Sequence, residues 1–219
     1  MKIIITGTTG MVGEGVLLEA LQNNKVTEVL SISRKSIYLE HPKLKQLIVS
    51  DFTQLEKYKS EIEGFEACFF CAGISSVGKK EDEFAKITYD TTLAFAKTLF
   101  QYNPTMMFCY VSGSGTDSTE KGKKMWARVK GKTENDLMKV GFRKVYNFRP
   151  AAMIPFPKQQ YANKLFYVIA KTLHFFNPKS VLTLSEVGKA MINGVDIDFG
   201  KNILEIKDIR ELAQSSTKL

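Results

Sequence analysis

The sequence predicts an α/β fold, an open and doubly wound parallel sheet, and three observations predict it. Short apolar runs alternate with amphipathic helical patterns almost to the end of the chain, as in a sheet covered on both faces. The first of those runs passes directly into a glycine-rich turn and then a helical pattern, in Lys2-Ile3-Ile4-Ile5-Thr6-Gly7-Thr8-Thr9-Gly10-Met11-Val12-Gly13. The length of 219 residues, with 44% apolar and 25% charged, suits one well-buried core and is short for two domains. The expected organisation is a single domain over 1–219, with small C-terminal cap elements from about 155 to 219.

The elements follow in order. Strands are expected at 2–6, 28–33, 45–49, 66–71, 106–111 and 144–149. Helices are expected at 11–22, where Val16, Leu17, Leu18 and Leu21 recur on one side, and at 53–61, 80–102, 122–139, 160–175 and 184–194, with a short one at 206–214. Asn103-Pro104 ends the third helix because proline cannot continue it, and Gly141 reads as the C-terminus of the fourth. No internal repeat, low-complexity stretch or linker interrupts the pattern. The segment 165–176, Leu-Phe-Tyr-Val-Ile-Ala-Lys-Thr-Leu-His-Phe-Phe, is too apolar all round for a solvated helix. It is expected to pack over a pocket or at a dimer interface, insertion at a membrane interface being the alternative.

Composition excludes several classes of function. The cysteines Cys68, Cys71 and Cys109 lie in apolar runs, as buried reduced thiols of a cytoplasmic protein do. Cys68 and Cys71 are spaced as C-x-x-C, but on a strand they face opposite sides. With only His41 and His174, neither a histidine metal site nor a catalytic triad is expected, so no metal is assigned. No signal peptide and no apolar stretch of the roughly 18 residues needed for a span is visible. The net charge of +8 and pI near 9.2 read as a basic surface suited to an anionic cofactor. Neither nucleic acid nor membrane is an expected partner; a homodimer or a protein partner is compatible with the chain.

In open parallel sheets ligands bind beyond the carboxyl ends of the strands, where strand order reverses. After the first strand, Gly7 and Gly10 let the backbone turn close to a diphosphate. The amides around Thr9, Met11 and Val12 open the helix toward the anion, and Gly13 lets that helix approach the sheet. The glycines stand at i, i+3 and i+6, unlike the common G-x-G-x-x-G spacing. After the second strand, where an acid would favour NAD(H), stand Arg34 and Lys35, suited to a 2′-phosphate; NADP(H) is therefore expected over NAD(H). Asp51-Phe52 follows the third strand, either meeting adenine or capping a helix. Cys71-Ala72-Gly73 follows the fourth, small enough for backbone to pass near a ribose. Ser112-Gly113-Ser114-Gly115 follows the fifth, with Ser112 either at the nicotinamide end or a turn serine.

With these pieces in order the chain resembles the short-chain dehydrogenase/reductase superfamily. Within it the chain is most similar to the atypical branch of small NAD(P)-binding, epimerase-like, Rossmann-like proteins of the Tat-interacting tumour-suppressor type. The resemblance rests on Thr6 to Gly13, Ser33-Arg34, Asp51-Phe52, Cys71-Ala72-Gly73, Val111 to Ser114, Lys130 with Gly131 and Glu134, and Arg149-Pro150, with a weaker echo at Leu184 to Ala190. It implies a tyrosine acid/base, a lysine four residues later and a serine that positions a carbonyl, together with cofactor contacts that include Lys130 and Pro150. Lys130 fits the lysine and Ser112 the serine, but Trp126 stands where the tyrosine is expected. An indole N–H donates a hydrogen bond and transfers no proton at neutral pH. Of the tyrosines Tyr89, Tyr110, Tyr161 and Tyr167, only Tyr161 is a candidate replacement. The expectation is an NADP(H)-binding oxidoreductase with a modified active site and an unknown small-molecule acceptor; the alternative is a non-catalytic NADP(H) sensor or scaffold acting through a protein partner.

Overall fold

A computed structural model describes residues 1–157, 159–162 and 164–215, those at 164–166 by their backbone alone. In chain order the elements are β1 (Lys2–Thr6), α1 (Met11–Gln22), β2 (Glu28–Ser33), β3 (Leu44–Ile48), a 3₁₀ turn (Phe52–Tyr58), α2 (Lys59–Ile62), β4 (Ala67–Phe70), α3 (Glu81–Ala85), a π-type turn (Lys86–Asp90), α4 (Thr91–Tyr102), β5 (Met107–Val111), α5 (Met125–Leu137), β6 (Lys144–Arg149), β7 (Ala152–Ile154), α6 (Lys164–Phe176), β8 (Val181–Thr183), α7 (Leu184–Asp196), β9 (Ile203–Glu205) and α8 (Ile206–Gln214). Seven strands form one parallel sheet in the order β3-β2-β1-β4-β5-β6-β9, and β7 pairs with β8 in a small second sheet. This is the doubly wound, Rossmann-like fold. Strand order reverses between β1 and β4.

The sheet is apolar on both faces because helices cover both. Ile3, Ile5, Phe69, Cys109 and Phe148 point to the side of α1, α7 and α8, while Ile4, Cys68, Phe70, Phe108 and Tyr110 point to the side of the 3₁₀ turn, α4 and α5. Cys68 thus lies on one face, and Cys71, just past the strand, packs against the other. All three thiols are free. Burial pushes Cys71 up to about 12 and the other two well above the ordinary range, so none is a ready nucleophile.

The six predicted strands are present, three of them with the predicted bounds. Three strands of three residues each, β7, β8 and β9, were not expected; runs that short carry no legible alternation. The expected helix at 80–102 is α3, the π-type turn and α4 in succession, and the one at 53–61 is mostly 3₁₀. The fourth helix ends at Leu137, with Gly141 beyond it in a loop at φ +110°. Asn103 does close α4. Its side-chain oxygen accepts from the amides of Gly64 and Phe65, and its amide donates to the Ile62 carbonyl. In the C-terminal segment expected as a cap, β9 extends the main sheet and α7 packs on α1; only β7, β8 and α6 stand apart from the sheet.

The π-type turn serves α5. It carries Tyr89, whose hydroxyl donates to Asp136 at 2.8 Å, and Asp136 also accepts from Lys132 at 2.7 Å and Lys139 at 2.8 Å. Partial burial opposes the charge on Asp136, but these three donors outweigh it and hold the carboxyl well below its usual range. A depressed folded pKa contributes stability that is complete above the unfolded value of 3.8 and lost as pH falls below it. Asp136→Asn is therefore expected to lower unfolding free energy by about 1–2 kcal/mol at pH 7, after discounting for solvent screening. In urea titrations the gap to wild type should hold down to about pH 4 and narrow steadily in more acid buffer.

Candidate functional site

The glycine loop sits at the reversal point and is held by contacts that exclude side chains. Gly7 has φ +72°, and a Cβ there would lie 2.7 Å from the backbone of Cys71 and Ala72. A Cβ on Gly13 would lie 2.2 Å from the Gly7 carbonyl oxygen. The loop therefore lies flat between the ends of β1 and β4 with α1 pressed onto it. The Gly10 amide donates to the Gly7 carbonyl at 2.9 Å, and the Ala72 amide donates to Thr6 Oγ1 at 3.1 Å. The hydroxyls of Thr8 and Ser31 meet at 2.7 Å, tying the loop to β2. Among the described residues no side chain caps the start of α1, so the amides at Met11 and Val12 open the helix without a capping side chain. Thr9 is exposed at the turn.

A further segment is fastened onto the start of α1. The Glu14 carboxylate accepts from the backbone amides of Gln160 at 2.6 Å and Tyr161 at 2.7 Å, and the Gln159 side chain donates to the Met11 carbonyl. Tyr161 lies with Thr8, Leu17, Ile37 and Tyr38 around a cleft of about 390 Å³ on the α1 and β2 side. Tyr110 is buried in the core and pushed further up by burial, and Tyr89 is bonded to Asp136, so neither supplies a proton.

At the end of β2, Arg34 and Lys35 are exposed. Arg34 makes no hydrogen bond or ion pair among the described residues, while the Lys35 carbonyl accepts from Ser33 Oγ at 2.6 Å to shape the turn. Asp51 caps the 3₁₀ turn. Its carboxylate accepts from the Thr53 amide, the Thr53 hydroxyl and the Gln54 side chain, which hold it below its usual pKa. Of the two readings for Asp51, the structure displays the cap. Phe52 is a core residue, its ring 5.1 Å from Phe95 and 6.4 Å from Phe70, so only its backbone is available near a ligand. Cys71 and Ala72 form the floor against Gly7, and Gly73 is exposed beside them.

Beyond β5 Ser112 and Lys130 belong to a hub in which Glu134 and Arg149, given no role by the sequence, are the centre. Ser112 is buried, and its hydroxyl donates to Glu134 Oε1 at 2.5 Å and lies 3.1 Å from the Phe148 carbonyl. Its hydroxyl is turned into the protein. Glu134, fully buried, takes a two-pronged contact from Arg149, Nε to Oε1 at 3.0 Å and Nη2 to Oε2 at 2.5 Å. Arg149 also reaches Ser118 at 2.6 Å and Glu205 at 3.3 Å. One guanidinium thus joins α5, β6, β9 and the loop after β5. Lys130 Nζ donates to the Ser112 carbonyl; burial lowers its pKa while Glu134 works the other way. The Ser114 amide donates at 2.9 Å to the carbonyl of Pro150, itself buried. Trp126, half-buried one turn before Lys130, stands against the Gly115 turn. An acid one turn beyond the lysine and an arginine closing a strand were the available signals for this hub, but chain spacing does not show that they meet.

Several known proteins are similar to this chain in sequence or fold. Protein HTATIP2 of Rattus norvegicus is 26% identical over 156 residues, which cover 70% of this chain and 63% of that protein, so the match spans less than two thirds of the relative. The mitochondrial protein FMP52 of Candida albicans is 25% identical over 217 residues, 95% of this chain and 92% of its own length. Among solved structures, the ADP-L-glycero-D-manno-heptose-6-epimerase of Helicobacter pylori superposes with a TM-score of 0.68 at 14% identity, over 97% of this chain and 80% of that one. The model of the NAD dependent epimerase/dehydratase family matches residues 3–123, from β1 to just before α5, and the chain belongs to that family.

Proposed function

We propose that this chain binds NADP(H) and is an oxidoreductase of the atypical short-chain class whose site lacks the usual proton donor. The observation that carries the reading is the cradle: Gly7 and Gly13 leave no room for a Cβ, and α1 opens beyond them without a capping side chain. The residues suit the cofactor. The amides at Met11 and Val12 would hold the diphosphate, Arg34 and Lys35 the 2′-phosphate, and Lys130 the nicotinamide ribose. When bound, the nicotinamide supplies or accepts a hydride. Trp126 forms one wall of the acceptor side and moves no proton there. With Ser112 turned toward Glu134 and Trp126 one turn before Lys130, an acceptor whose proton comes from water, such as a flavin or a quinone, suits these residues better than a carbonyl.

The same inward serine and missing acid favour a second reading, a protein that binds NADP(H) without turnover and presents a surface to a partner. A cytoplasmic location remains part of the proposal; among the described residues no helix is long and apolar enough to cross a membrane.

Two measurements test these readings. In fluorescence titrations NADPH should bind more tightly than NADH, and Arg34→Ala should weaken NADPH about 10- to 100-fold while leaving NADH within about twofold. Equal affinity of the wild type for both nucleotides would remove the role given to Arg34. Trp126→Tyr should gain NADPH-dependent reduction of a carbonyl panel, with a rate that falls at high pH as the phenol loses its proton. Consumption of NADPH by the wild type with flavin or quinone acceptors supports the oxidoreductase; binding with no consumption in any assay supports the sensor.

A further inference from the structure

Helix α6 presents its apolar side away from the protein. Val168 and Leu173 are 58% and 46% exposed, and Phe175 and Phe176 at its end are 82% and 79% exposed. At 100° per residue, Phe175, Val168, Thr172, Phe176, Ile169 and Leu173 share one arc of the helix. Ala170, on the opposite side, is the residue of this turn that is buried. The described side chains of this stripe thus face outward, unlike those of a helix that covers a core or a pocket. Within the segment 165–176, the side chains of Leu165 and Phe166 lie outside those described.

The charges along the stretch of chain that carries this stripe have one sign. The chain carries no Asp or Glu between Asp136 and Glu186, while lysines and arginines recur throughout that stretch. Lys171 flanks the stripe, its ammonium 4.9 Å from the centre of the Tyr167 ring, and Lys179 stands exposed just beyond the end of the helix. Neither forms an ion pair among the described residues. A second copy of this face would bring like charges together, whereas an anionic surface with an apolar layer beneath it satisfies the stripe and the cations at once.

We propose that α6 docks this protein on the surface of a membrane containing anionic phospholipid. The helix lies in the plane of the interface, with Phe175 and Phe176 entering the acyl boundary and Lys171 and Lys179 among the headgroups. Its length of 13 residues is too short to span a bilayer. The sequence alone favoured a covered helix, because apolar residues all round do not tell which side faces the body.

Co-sedimentation of the full chain with vesicles tests this. Wild type should pellet with vesicles of phosphatidylglycerol and phosphatidylcholine at low salt, and about tenfold less with phosphatidylcholine alone or in 0.5 M NaCl. Phe175→Asp with Phe176→Asp should reduce binding at least about tenfold, and Lys171→Glu with Lys179→Glu should reduce it only on anionic vesicles. Because the altered side chains are exposed, circular dichroism and thermal melting of the variants should match wild type. Wild type that stays in the supernatant with anionic vesicles would overturn the proposal. So would a dimer by analytical ultracentrifugation that the two aspartates dissociate while vesicle binding persists.

Discussion

One close approach of backbone to backbone constrains the rest: α1 can leave β1 and return along the sheet only if nothing stands on Gly7 or Gly13. With backbone meeting backbone at both positions, the end of β1, the end of β4 and the first turn of α1 become one rigid corner. That corner lies where strand order reverses, so the sheet diverges around it and leaves the crevice open. A methyl group on Gly13 would push α1 away from the sheet, and with it the core of Val16, Leu17 and Ala20 that α1 shares with Ile3 and Ile5, while one on Gly7 would part the ends of β1 and β4.

A second corner holds the other half of the site. The contact between Arg149 and Glu134 is buried, and taking two charges from water is costly unless each is fully engaged. Here both are: the carboxylate accepts from Arg149 and from Ser112, while the guanidinium reaches Ser118 and Glu205 as well. Removing one partner from such a pair typically costs about 3–5 kcal/mol, since the other charge is left buried without a counterpart. The arrangement aligns the end of β5, where Lys130 reaches the Ser112 carbonyl, with the end of β6. It also draws the Ser112 hydroxyl inward. The residue that resemblance assigns to the acceptor is thus part of the support on which Lys130 rests.

Helix α6 shows how far local pattern and tertiary placement can diverge. Its apolar character is written in the sequence, but the side that meets the protein is set by the small sheet of β7 and β8 and by the turn that follows the helix. The segment before it is fastened to α1 through Glu14 and Gln159, contacts that join residues almost 150 positions apart. Nothing in the spacing of those residues marks them as partners.

The sequence by itself determined the alternation of apolar runs and helices, the glycine corner and an indole, Trp126, one turn before Lys130. These are local matters: strand against helix follows from the period of a few side chains, and the lack of a transferable proton belongs to the indole itself. Only the tertiary structure decided that Asp51 caps a turn, that Phe52 fills the core, that Ser112 faces Glu134 and that Tyr161 sits beside α1. It also decided that β9 completes the sheet and that the apolar side of α6 faces outward. Each of these depends on which distant backbone a side chain meets, and no interval along the chain encodes that meeting.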